Sequence, residues 1–359
     1  MNLLDPSTAL ITWFNQNKRD LPWRETKDPY RIWLSEIILQ QTRVNQGLPY
    51  YLNFLKKYPN LESLACASEK EVLRLWQGLG YYSRARNLLT CARAIKTRYN
   101  GKFPSTSEVL LKLPGIGPYT AAAIASFAFN EPVAAIDGNG LRVFSRYFGI
   151  RDDIRANTTI NTIRALANEM ISKSFPDIFN QAVMEIGATL CLPAKPECMD
   201  CPLQNRCISF ANGWQNEIPY KSKVKKPRNR YFNYIIFRDR QKISLNKRKA
   251  GDIWQGLFDF YLIEENKLLD PDEFEDPFVI ELLQRGYSIC KTGKDYKHIL
   301  SHQRIYSRFY ELTLNPDPAL KQISLLKRNA LRFYSMEEIV NLPKPVLVDN
   351  FLKSYFKSY

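Results

Sequence analysis

Two carboxylates stand in sequence surroundings that predict different charges at neutral pH. Glu36 lies in segment 31–46, whose spacing predicts a helix with Ile32 and Leu39 one turn to either side. A carboxyl on such an apolar face loses hydration, which raises its pKa and favours a proton donor. Asp137 opens D-G-N-G before a predicted helix, where capping N–H groups and the helix dipole favour the ionised form. The pair suits acid-catalysed cleavage in which an anion stabilises a developing cation.

Each carboxylate also has an ordinary structural explanation. Glu36 could be a surface glutamate on an amphipathic helix, and Asp137 could be a simple helix cap. The cap and the catalytic anion are compatible, because a capping carboxylate stays charged. The chain has only two histidines, His298 and His302, too few for histidine-rich metal centres and most histidine-based triads. Any chemistry must therefore rely on carboxylates.

A glycine-containing turn separates two predicted helices at 107–112 and 121–129. The turn L-P-G-I-G-P-Y-T includes Gly115 and Gly117, where backbone N–H groups can approach a phosphate oxygen and the following helix adds a favourable dipole. The same pattern is compatible with a plain packing corner between helices. As a binding element, it would hold a duplex in register without reading its sequence.

Four of the seven cysteines fall within 17 residues, with the spacing C-x6-C-x2-C-x5-C. This crowding predicts a metal site rather than a disulfide framework, and composition alone is compatible with zinc. The four predicted ligands are Cys191, Cys198, Cys201 and Cys207.

The residue pattern that predicts secondary structure changes after the cysteines. Its first part reads as short amphipathic helices, whereas β-branched and aromatic runs at 231–238 and 257–263 predict strands in an α+β second part. At 359 residues the chain is longer than one average domain. We expect a helical domain at 1–211, a linker at 212–229 and an α+β domain at 230–359.

A formal net charge of +15 and a sequence pI near 9.4 favour a polyanionic partner. The alternative to a polyanionic partner is a basic protein that does not bind nucleic acid. Segment 221–249 is especially basic: it is either a solvated surface or a strap that follows phosphates. Its cations include Lys223, Lys225, Lys226, Arg228, Arg230, Lys247 and Arg248.

No apolar run approaches the roughly 18 residues that span a bilayer, and the first 15 residues lack the pattern of a secretory leader. We therefore expect no membrane association and a soluble, intracellular protein. This would be cytoplasmic, and nucleoid-associated if the source is bacterial. We expect a monomer.

The motifs together resemble the endonuclease III superfamily over residues 5–210. W-L-S-E-I-I-L-Q-Q-T, the turn L-P-G-I-G-P-Y-T, A-I-D-G-N and the cysteines occur in that order. The resemblance implies an all-α helix-hairpin-helix glycosylase domain that binds double-stranded DNA. It also implies that the four cysteines hold a [4Fe-4S] cluster, which is preferred here over zinc.

Within this superfamily, the chain resembles the MutY-type adenine DNA glycosylases. Members that also cut the strand carry a lysine nucleophile where this chain has Tyr119, so lyase activity is expected to be weak or absent. The resemblance implies a monofunctional base excision repair enzyme that removes adenine opposite 8-oxoguanine or guanine and leaves an abasic site. Glu36 would protonate the purine, Asp137 would stabilise the sugar cation, and Tyr119 and Asn139 would position sugar and water.

The resemblance also assigns the residues that take up the base. The target must rotate out of the duplex, and wedge residues must replace it in the stack. Gln41 and Tyr81, the latter within G-L-G-Y-Y-S-R-A-R, are the expected wedges. The expected adenine pocket consists of Trp23, Arg24, Leu39 and Gln181.

The second domain resembles a Nudix-like domain at G-D-I-W-Q-G-L-F-D-F. The acidic metal-binding helix of Nudix hydrolases is not found after this motif, so nucleotide hydrolysis is not expected. The resemblance implies a domain that recognises 8-oxoguanine opposite adenine. Ser301 and His302, in H-I-L-S-H-Q, occupy the polar recognition positions, and Leu300 stands where an aromatic residue is common.

Two other functions remain open at this point. One is a glycosylase of the same superfamily that removes thymine, uracil or an oxidised pyrimidine. The other is a non-catalytic iron-sulfur protein that only scans DNA, against which the joint presence of Glu36 and Asp137 argues.

Overall fold

The computed structural model describes residues 5–223, 226–239, 241–313 and 331–356. The described residues form two compact units. The first lies within Met1–Ala67 and Asn87–Val224, and the second within Ser68–Arg86 and Lys225–Tyr359. Among the described residues, no helix combines the length and apolar character that crossing a membrane requires.

The N-terminal half of the chain is helical throughout. Short 3-10 turns occur at Pro22–Arg24, Cys198–Asp200 and Gln204–Arg206. The helices are α1 (Pro6–Asn17), α2 (Pro29–Leu39), α3 (Val44–Lys57), α4 (Leu61–Ala65), α5 (Glu69–Leu75), α6 (Ser83–Arg98), α7 (Ser107–Leu110), α8 (Pro118–Phe129), α9 (Gly138–Tyr147), α10 (Asn157–Met170), α11 (Pro176–Thr189) and α12 (Ile208–Ala211).

Helix α2, which carries Glu36, is shorter than the sequence pattern predicts. It begins at Pro29 after Asp28, whose side chain accepts a hydrogen bond from the Tyr30 N–H, and it ends at Leu39. Gln41 then adopts a left-handed conformation with φ 55°. The prediction of one helix over 31–46 is therefore wrong, because this turn separates α2 from α3 and exposes Gln41.

The predicted hairpin is formed by α7, a turn and α8. Gly115 has φ +74°, and a Cβ there would lie 2.5 Å from the Cβ of Asn87, so the turn requires glycine. Gly117 plays a different part: its φ of −91° suits any residue, and a Cβ there would meet nothing within 4 Å. Gly117 instead leaves the start of α8 open to solvent.

Two asparagine side chains fix the extended run that leads into α9. Asn180 on α11 accepts from the Ala135 N–H at 2.9 Å and donates to the Val133 carbonyl at 2.9 Å. Asn168 on α10 accepts from the Ala134 N–H at 2.7 Å. The run satisfies its backbone groups without being a strand, and it ends at Asp137, the N-cap of α9.

The helices around α9 and α11 share one hydrophobic core in the first unit. It includes the fully buried rings of Phe144 and Phe179, and Ile136 beside Asp137. Close packing here sets the position of the chain on both sides of Asp137.

The second unit is built on a six-stranded mixed sheet with strand order β6-β7-β1-β2-β8, in which β5 also pairs with β1. A separate two-stranded pair joins β3 to β4. The elements are β1 (Arg228–Asp239), β2 (Lys242–Ser244), β3 (Asn246–Lys247), β4 (Phe258–Asp259), β5 (Tyr261–Glu265), α13 (Pro277–Gln284), β6 (Ile289–Ile299), β7 (Gln303–Thr313), β8 (Phe333–Tyr334), α14 (Met336–Val340) and α15 (Val346–Phe356).

Strand β1 is central to this sheet. It pairs in parallel with β7, from Arg228 opposite Gln303 to Arg238 opposite Thr313, and antiparallel with β5 and β2. Its alternate side chains Ile235 and Phe237 pack under α13 in a core of their own. The sheet and its helices agree with the predicted α+β class.

The basic segment is only partly a solvated surface. Arg230 is 9% exposed and pairs with Asp252 at 2.7 Å and Glu264 at 2.6 Å, while Arg248 pairs with Asp259 at 2.6 Å. The expectation of a phosphate-tracking cation is therefore wrong for Arg230 and Arg248, whose charges are paired with the carboxylates of Asp252, Asp259 and Glu264. Lys225 lies outside the described residues.

Candidate active site

A cleft of about 1180 Å³ opens in the first unit, between the end of α2, the start of α8 and the faces of α9 and α11. It brings together most of the residues that the sequence singled out in this part of the chain. The cleft is lined by Trp23, Arg24, Glu36, Leu39, Gln41, Gly117, Tyr119, Asp137, Asn139 and Gln181. Gly115 does not line the cleft, and Tyr81 belongs to the second unit.

Glu36 is 8% exposed on the inner face of α2. Burial removes water from its carboxyl and raises the pKa to about 7, against a hydrogen bond from Tyr119 and the charge of Arg24, which lower the pKa. The negative charge of Asp137 raises the pKa further. Glu36 can therefore hold a proton near neutral pH, as a general acid must.

Tyr119, at the start of α8, touches Glu36 directly. Its Oη donates a hydrogen bond of 2.5 Å to Glu36 Oε2, and it lies 3.9 Å from Met184 Sδ. Burial and the charges of Glu36 and Asp137 raise the pKa of Tyr119 well above its ordinary value. The phenol therefore stays protonated and donates its hydrogen bond to Glu36. This bond orients the glutamate side chain.

Asp137 accepts a hydrogen bond of 2.6 Å from the Gly140 N–H as the cap of α9. Burial raises its pKa above the ordinary value, while the backbone N–H groups of Gly140 and Asn139 and the Asn139 side chain oppose the rise. The sequence pattern predicted the capping bonds but not the burial. Both carboxylates line one cleft, and the hydrogen-bond donors around Asp137 offset part of the effect of its burial and stabilise its charged form.

A buried ion pair that the sequence reasoning missed holds Arg24 at the cleft wall. Glu185 on α11 is 0% exposed and accepts from Arg24 Nη2 at 2.6 Å and from Arg19 Nε at 2.6 Å. Burial of Glu185 is outweighed by these hydrogen bonds, which lower its pKa. Glu185 lies one helical turn after Gln181, and that spacing was the available signal.

The expected base pocket forms one wall of the cleft. Trp23 packs edge-to-face on Tyr51 with ring centroids 5.3 Å apart, which fixes the indole, and half-buried Leu39 and Gln181 face the same space. Arg24 lies over the Phe14 ring, 5.1 Å from its centroid. The wall thus combines apolar surface with one amide and one guanidinium that is ion-paired to Glu185.

Helix α9 joins Asp137 to the cysteine segment through two arginines that the sequence reasoning missed. Arg142 Nη2 donates to Asn139 Oδ1 at 2.9 Å and to the Gly187 carbonyl at 2.7 Å, and its Nε donates to the Cys191 carbonyl at 2.8 Å. Arg146 Nη1 lies 3.3 Å from Cys191 Sγ. The position of the cysteine segment is therefore mechanically linked to the residues beside Asp137.

The four cysteines surround one small cavity of about 30 Å³. Among the residues described, no three His, Cys, Asp or Glu side chains converge closely enough to hold a single metal ion. The four thiols line the same cavity, so they are the side chains that could hold a metal centre in this segment.

The expected recognition loop lies at the turn between β6 and β7 in the second unit. Ser301 and His302 are exposed, with Ser301 Oγ 3.2 Å from His302 Nδ1. Gln303 Nε2 lies 3.2 Å from His302 Nε2, and its Oε1 accepts from Arg230. Leu300 is half-buried, whereas Ile299 beside it is 66% exposed, so the apolar group at this surface is Ile299.

The raised pKa of Glu36 predicts a pH-dependent effect of Glu36→Gln. Between the unfolded pKa near 4.5 and the folded pKa of about 7, the folded chain binds more protons, so burial of Glu36 costs stability as pH rises. Relative to the parent chain, the variant should gain about 3 kcal/mol between pH 5 and pH 8, measured by urea unfolding of the helical signal. Glu62→Gln, at an exposed pair with Lys96, is the control. Equal gains for both variants would contradict the burial of Glu36.

Two family models match the chain. That of the HhH-GPD superfamily, described as a base excision DNA repair protein, matches residues 34–172, and that of the NUDIX domain matches residues 233–354. These matches confirm the predicted fold class, a helix-hairpin-helix glycosylase domain followed by a Nudix-like α+β domain.

Two solved structures resemble the helical part. A thermostable thymine-DNA glycosylase aligns with a TM-score of 0.53 and 31% identity, covering 57% of this chain and 95% of that one. Endonuclease III in a non-covalent complex with DNA aligns with a TM-score of 0.50, covering 58% of this chain and 95% of that one. At 21% identity, the second likeness shows the fold alone.

Relatives in sequence extend over both domains. The adenine DNA glycosylase of Buchnera aphidicola subsp. Baizongia pistaciae is 35% identical over 348 residues, which cover 94% of this chain and 93% of that protein. The adenine DNA glycosylase of Homo sapiens is 42% identical over 208 residues, covering 55% of this chain and 38% of that protein. With an end-to-end relative at this identity and both family domains in order, the chain belongs to the adenine DNA glycosylase family.

Proposed function

We propose that this protein hydrolyses the N-glycosidic bond of adenine mispaired with 8-oxoguanine or guanine, leaving an abasic site without cutting the strand. One observation carries the proposal: Glu36, protonated near neutral pH, shares a cleft with Asp137, which is surrounded by donors to its charged form. The relatives named adenine DNA glycosylase support adenine as the base.

The proposed reaction begins with proton transfer from Glu36 to a ring nitrogen of adenine. Protonation turns the base into a leaving group, and the glycosidic electron pair leaves with it. The sugar becomes an oxocarbenium ion that the Asp137 carboxylate stabilises. Water then adds to the sugar carbon and passes one proton to the Glu36 carboxylate, so an abasic site and neutral adenine are formed and Glu36 is protonated again.

Tyr119 controls the proton on Glu36 by its hydrogen bond. The bond fixes which carboxyl oxygen is free to face the base, because Oε2 is already an acceptor. The same phenol fills the position of the strand-cutting lysine. Lys27, which also lines the cleft, is paired with Asp177 at 2.5 Å. These features support hydrolysis without lyase chemistry.

Trp23, Arg24, Leu39 and Gln181 are proposed to take up adenine. The Gln181 amide offers both a donor and an acceptor to the edge of the base, and Trp23 and Leu39 provide apolar contact. Glu185 pairs with Arg24 and holds its guanidinium in one place, so the pocket keeps a hydrogen-bond donor in a fixed position. Asn139 is proposed to orient the water or sugar beside Asp137.

Gln41 and Tyr81 are proposed as the wedges that replace the extruded base. Both adopt left-handed backbone conformations, with φ 55° and 47°, which non-glycine residues rarely take. Gln41 is exposed at the cleft, and Tyr81 is 46% exposed. We propose that the strained backbone at these two residues directs their side chains toward solvent.

The partner is double-stranded DNA, whose phosphates are proposed to lie at Gly115 and Gly117. Both glycines are exposed, and α8 begins at Gly117 without a side-chain cap. Backbone N–H groups at an open helix start suit an anion. We keep a monomer as the expected state and the division at 1–211, 212–229 and 230–359 as the proposed domain bounds.

A [4Fe-4S] cluster is proposed at Cys191, Cys198, Cys201 and Cys207, where four thiols surround one cavity. When bound, the cluster would supply structural cross-linking of this segment and is capable of electron transfer. The segment presents exposed Lys195 and Arg206. We propose that these cations contact the DNA backbone.

The Nudix-like domain is proposed to recognise the base opposite adenine through Ser301 and His302. Both are exposed polar side chains at the tip of the hairpin formed by β6 and β7. Asp252, Asp259 and Glu264 in this domain are engaged by Arg230 and Arg248, so they stabilise the sheet. This arrangement favours lesion recognition over nucleotide hydrolysis.

The direct test is single-turnover incubation with duplexes that contain one 8-oxoguanine:A, G:A or G:T pair. Adenine release should occur on the first two, and strand breaks should appear only after alkali. Glu36→Gln should lower the rate at least about 100-fold, which is the contribution of a general acid, with duplex binding unchanged. Glu62→Gln, an exposed glutamate of the same unit, is the control. Thymine release from G:T alone, or breaks without alkali, would contradict the proposal.

Iron and sulfide analysis tests the cluster. The purified chain should contain four irons and four sulfides, with an absorbance band at about 410 nm. Cys198→Ser should lose the band, while Cys290→Ser, at an exposed cysteine of the other unit, should keep it. Stoichiometric zinc without iron would refute the cluster.

Replacing both polar residues of the recognition loop tests its role. Ser301→Ala with His302→Ala should reduce the preference for 8-oxoguanine:A over G:A by about tenfold, the effect of losing one or two hydrogen bonds. The comparison is the ratio of single-turnover rates on the two duplexes. Ser354→Ala in α15 should leave the ratio unchanged. A ratio unaffected by the double change would remove the loop from lesion recognition.

A further inference from the structure

The segment that carries Tyr81 packs with the Nudix-like domain. Ser68–Arg86 groups with Lys225–Tyr359 in the second compact unit, although it lies within the helical half of the sequence. We propose that Gln77 and Arg74 are positioning residues that clamp the wedge loop, defined as residues 76–82, onto the Nudix-like domain, so that base extrusion depends on this domain. The inference rests on the proposed function in one respect, the role of Tyr81 as a wedge.

Three side chains of the segment bind backbone atoms of the domain. Gln77 Oε1 accepts a hydrogen bond from the Lys344 N–H at 3.1 Å, and Arg74 Nε donates to the Val340 carbonyl at 3.0 Å. Arg86 Nη1 donates to the Gln255 carbonyl at 2.8 Å. Arg74 and Arg86 lie on either side of the wedge loop in sequence and Gln77 lies at its start, so the bonds hold the loop at both ends.

The turn that receives Gln77 and Arg74 is itself rigid. Lys344 is 2% exposed, and its Nζ donates to the carbonyls of Ile339 at 2.6 Å and Leu342 at 2.8 Å, which closes the end of α14. A buried ammonium held by two carbonyls resists displacement, because moving it would leave a charge unpaired. The turn is therefore a firm anchor for the segment.

A second contact lies at Gly256, beside the Gln255 anchor. Gly256 has φ +82°, and a Cβ there would lie 3.1 Å from both Leu73 Cδ1 and Glu69 Oε1. The domain backbone thus approaches helix α5 as closely as glycine permits. Glu69 also lies 3.7 Å from Lys247 Nζ. The contact extends along α5 and is not confined to one hydrogen bond.

The wedge loop is stiff enough to transmit a displacement of its anchors to Tyr81. Trp76 Nε1 donates to the Gly80 carbonyl at 3.0 Å, and Arg84 Nη2 donates to the Leu79 carbonyl at 3.3 Å. The Arg84 guanidinium lies 5.0 Å from the Trp76 ring centroid and 5.7 Å from that of Tyr81. Tyr81 is thus held outward by packing behind it.

These contacts place the extruding residue and the lesion-recognition loop in one compact unit. A domain that binds the opposite base would then carry the tyrosine with it. Extrusion of adenine would be favoured where the Nudix-like domain is seated on its lesion, which gives selectivity before any chemistry at Glu36.

The test compares Gln77→Leu with Gln77→Glu in the full-length chain. Leucine removes the acceptor for the Lys344 N–H at nearly equal volume, whereas glutamate keeps one. Gln77→Leu should speed amide hydrogen exchange in peptides covering 76–82 and slow adenine release from 8-oxoguanine:A duplex about fivefold, the effect of one lost hydrogen bond. Gln77→Glu should restore both. Arg285→Gln, at an exposed helical pair with Glu281 in the same domain, should change neither.

A double-mutant cycle with Tyr81→Ala separates positioning from general destabilisation. If Gln77 acts through the wedge, Gln77→Leu should cause no further loss of rate in the Tyr81→Ala background. Additive losses, or exchange in 76–82 that Gln77→Leu does not change, would overturn the inference. Arg74→Met offers the same comparison through the Val340 carbonyl if Gln77→Leu does not fold. If the parent chain releases no adenine, the proposed function is contradicted. The hydrogen-exchange measurement would still test whether Gln77 holds the wedge loop on the Nudix-like domain.

Discussion

Removal of the Glu36 carboxyl from water is the constraint on which the proposed chemistry depends. Its pKa is raised to about 7, with burial as the largest cause, and its neighbours raise or lower the pKa further. Tyr119 and Arg24 stabilise the ionised form, and Asp137 opposes it. The cleft thus combines Glu36, an acid that can hold a proton near neutral pH, with Asp137, a carboxylate that accepts hydrogen bonds from neighbouring N–H groups.

The second carboxylate is fixed from three directions. Asn180 and Asn168 satisfy the extended run before Asp137, and the cap bond to Gly140 fixes the start of α9. Arg142 continues the connection from Asn139 to the backbone of Cys191. A change in the cysteine segment would therefore reach the side chains beside Asp137 through one helix, without any large movement of the core. In the second unit, the side chains of Arg74, Gln77 and Arg86 bind backbone atoms of the Nudix-like domain on the segment that carries Tyr81.

Much of this organisation was predictable because it depends on local sequence patterns. The capping aspartate, the glycine at φ +74° and the change from helical to strand-like segments follow from residue type and spacing. What could not be predicted depends on contacts between distant segments. The end of α2 at Leu39 is set by the strained turn at Gln41, and the inward direction of Arg230 and Arg248 is set by carboxylates on other strands. Glu185 and the packing of Ser68–Arg86 with the Nudix-like domain needed the tertiary structure for the same reason.

The protonation state of Glu36 can be observed without substrate. Infrared difference spectra of the chain labelled with carbon-13 in its glutamate carboxyls, with Glu36→Gln as the reference, isolate the signal of this one carboxyl. The account predicts a protonated-carboxyl band at pH 6 that disappears on raising the pH, with a midpoint at about 7. A midpoint near 4.5, the ordinary value for glutamate, would show that Glu36 is ionised at neutral pH and would contradict its role as the acid.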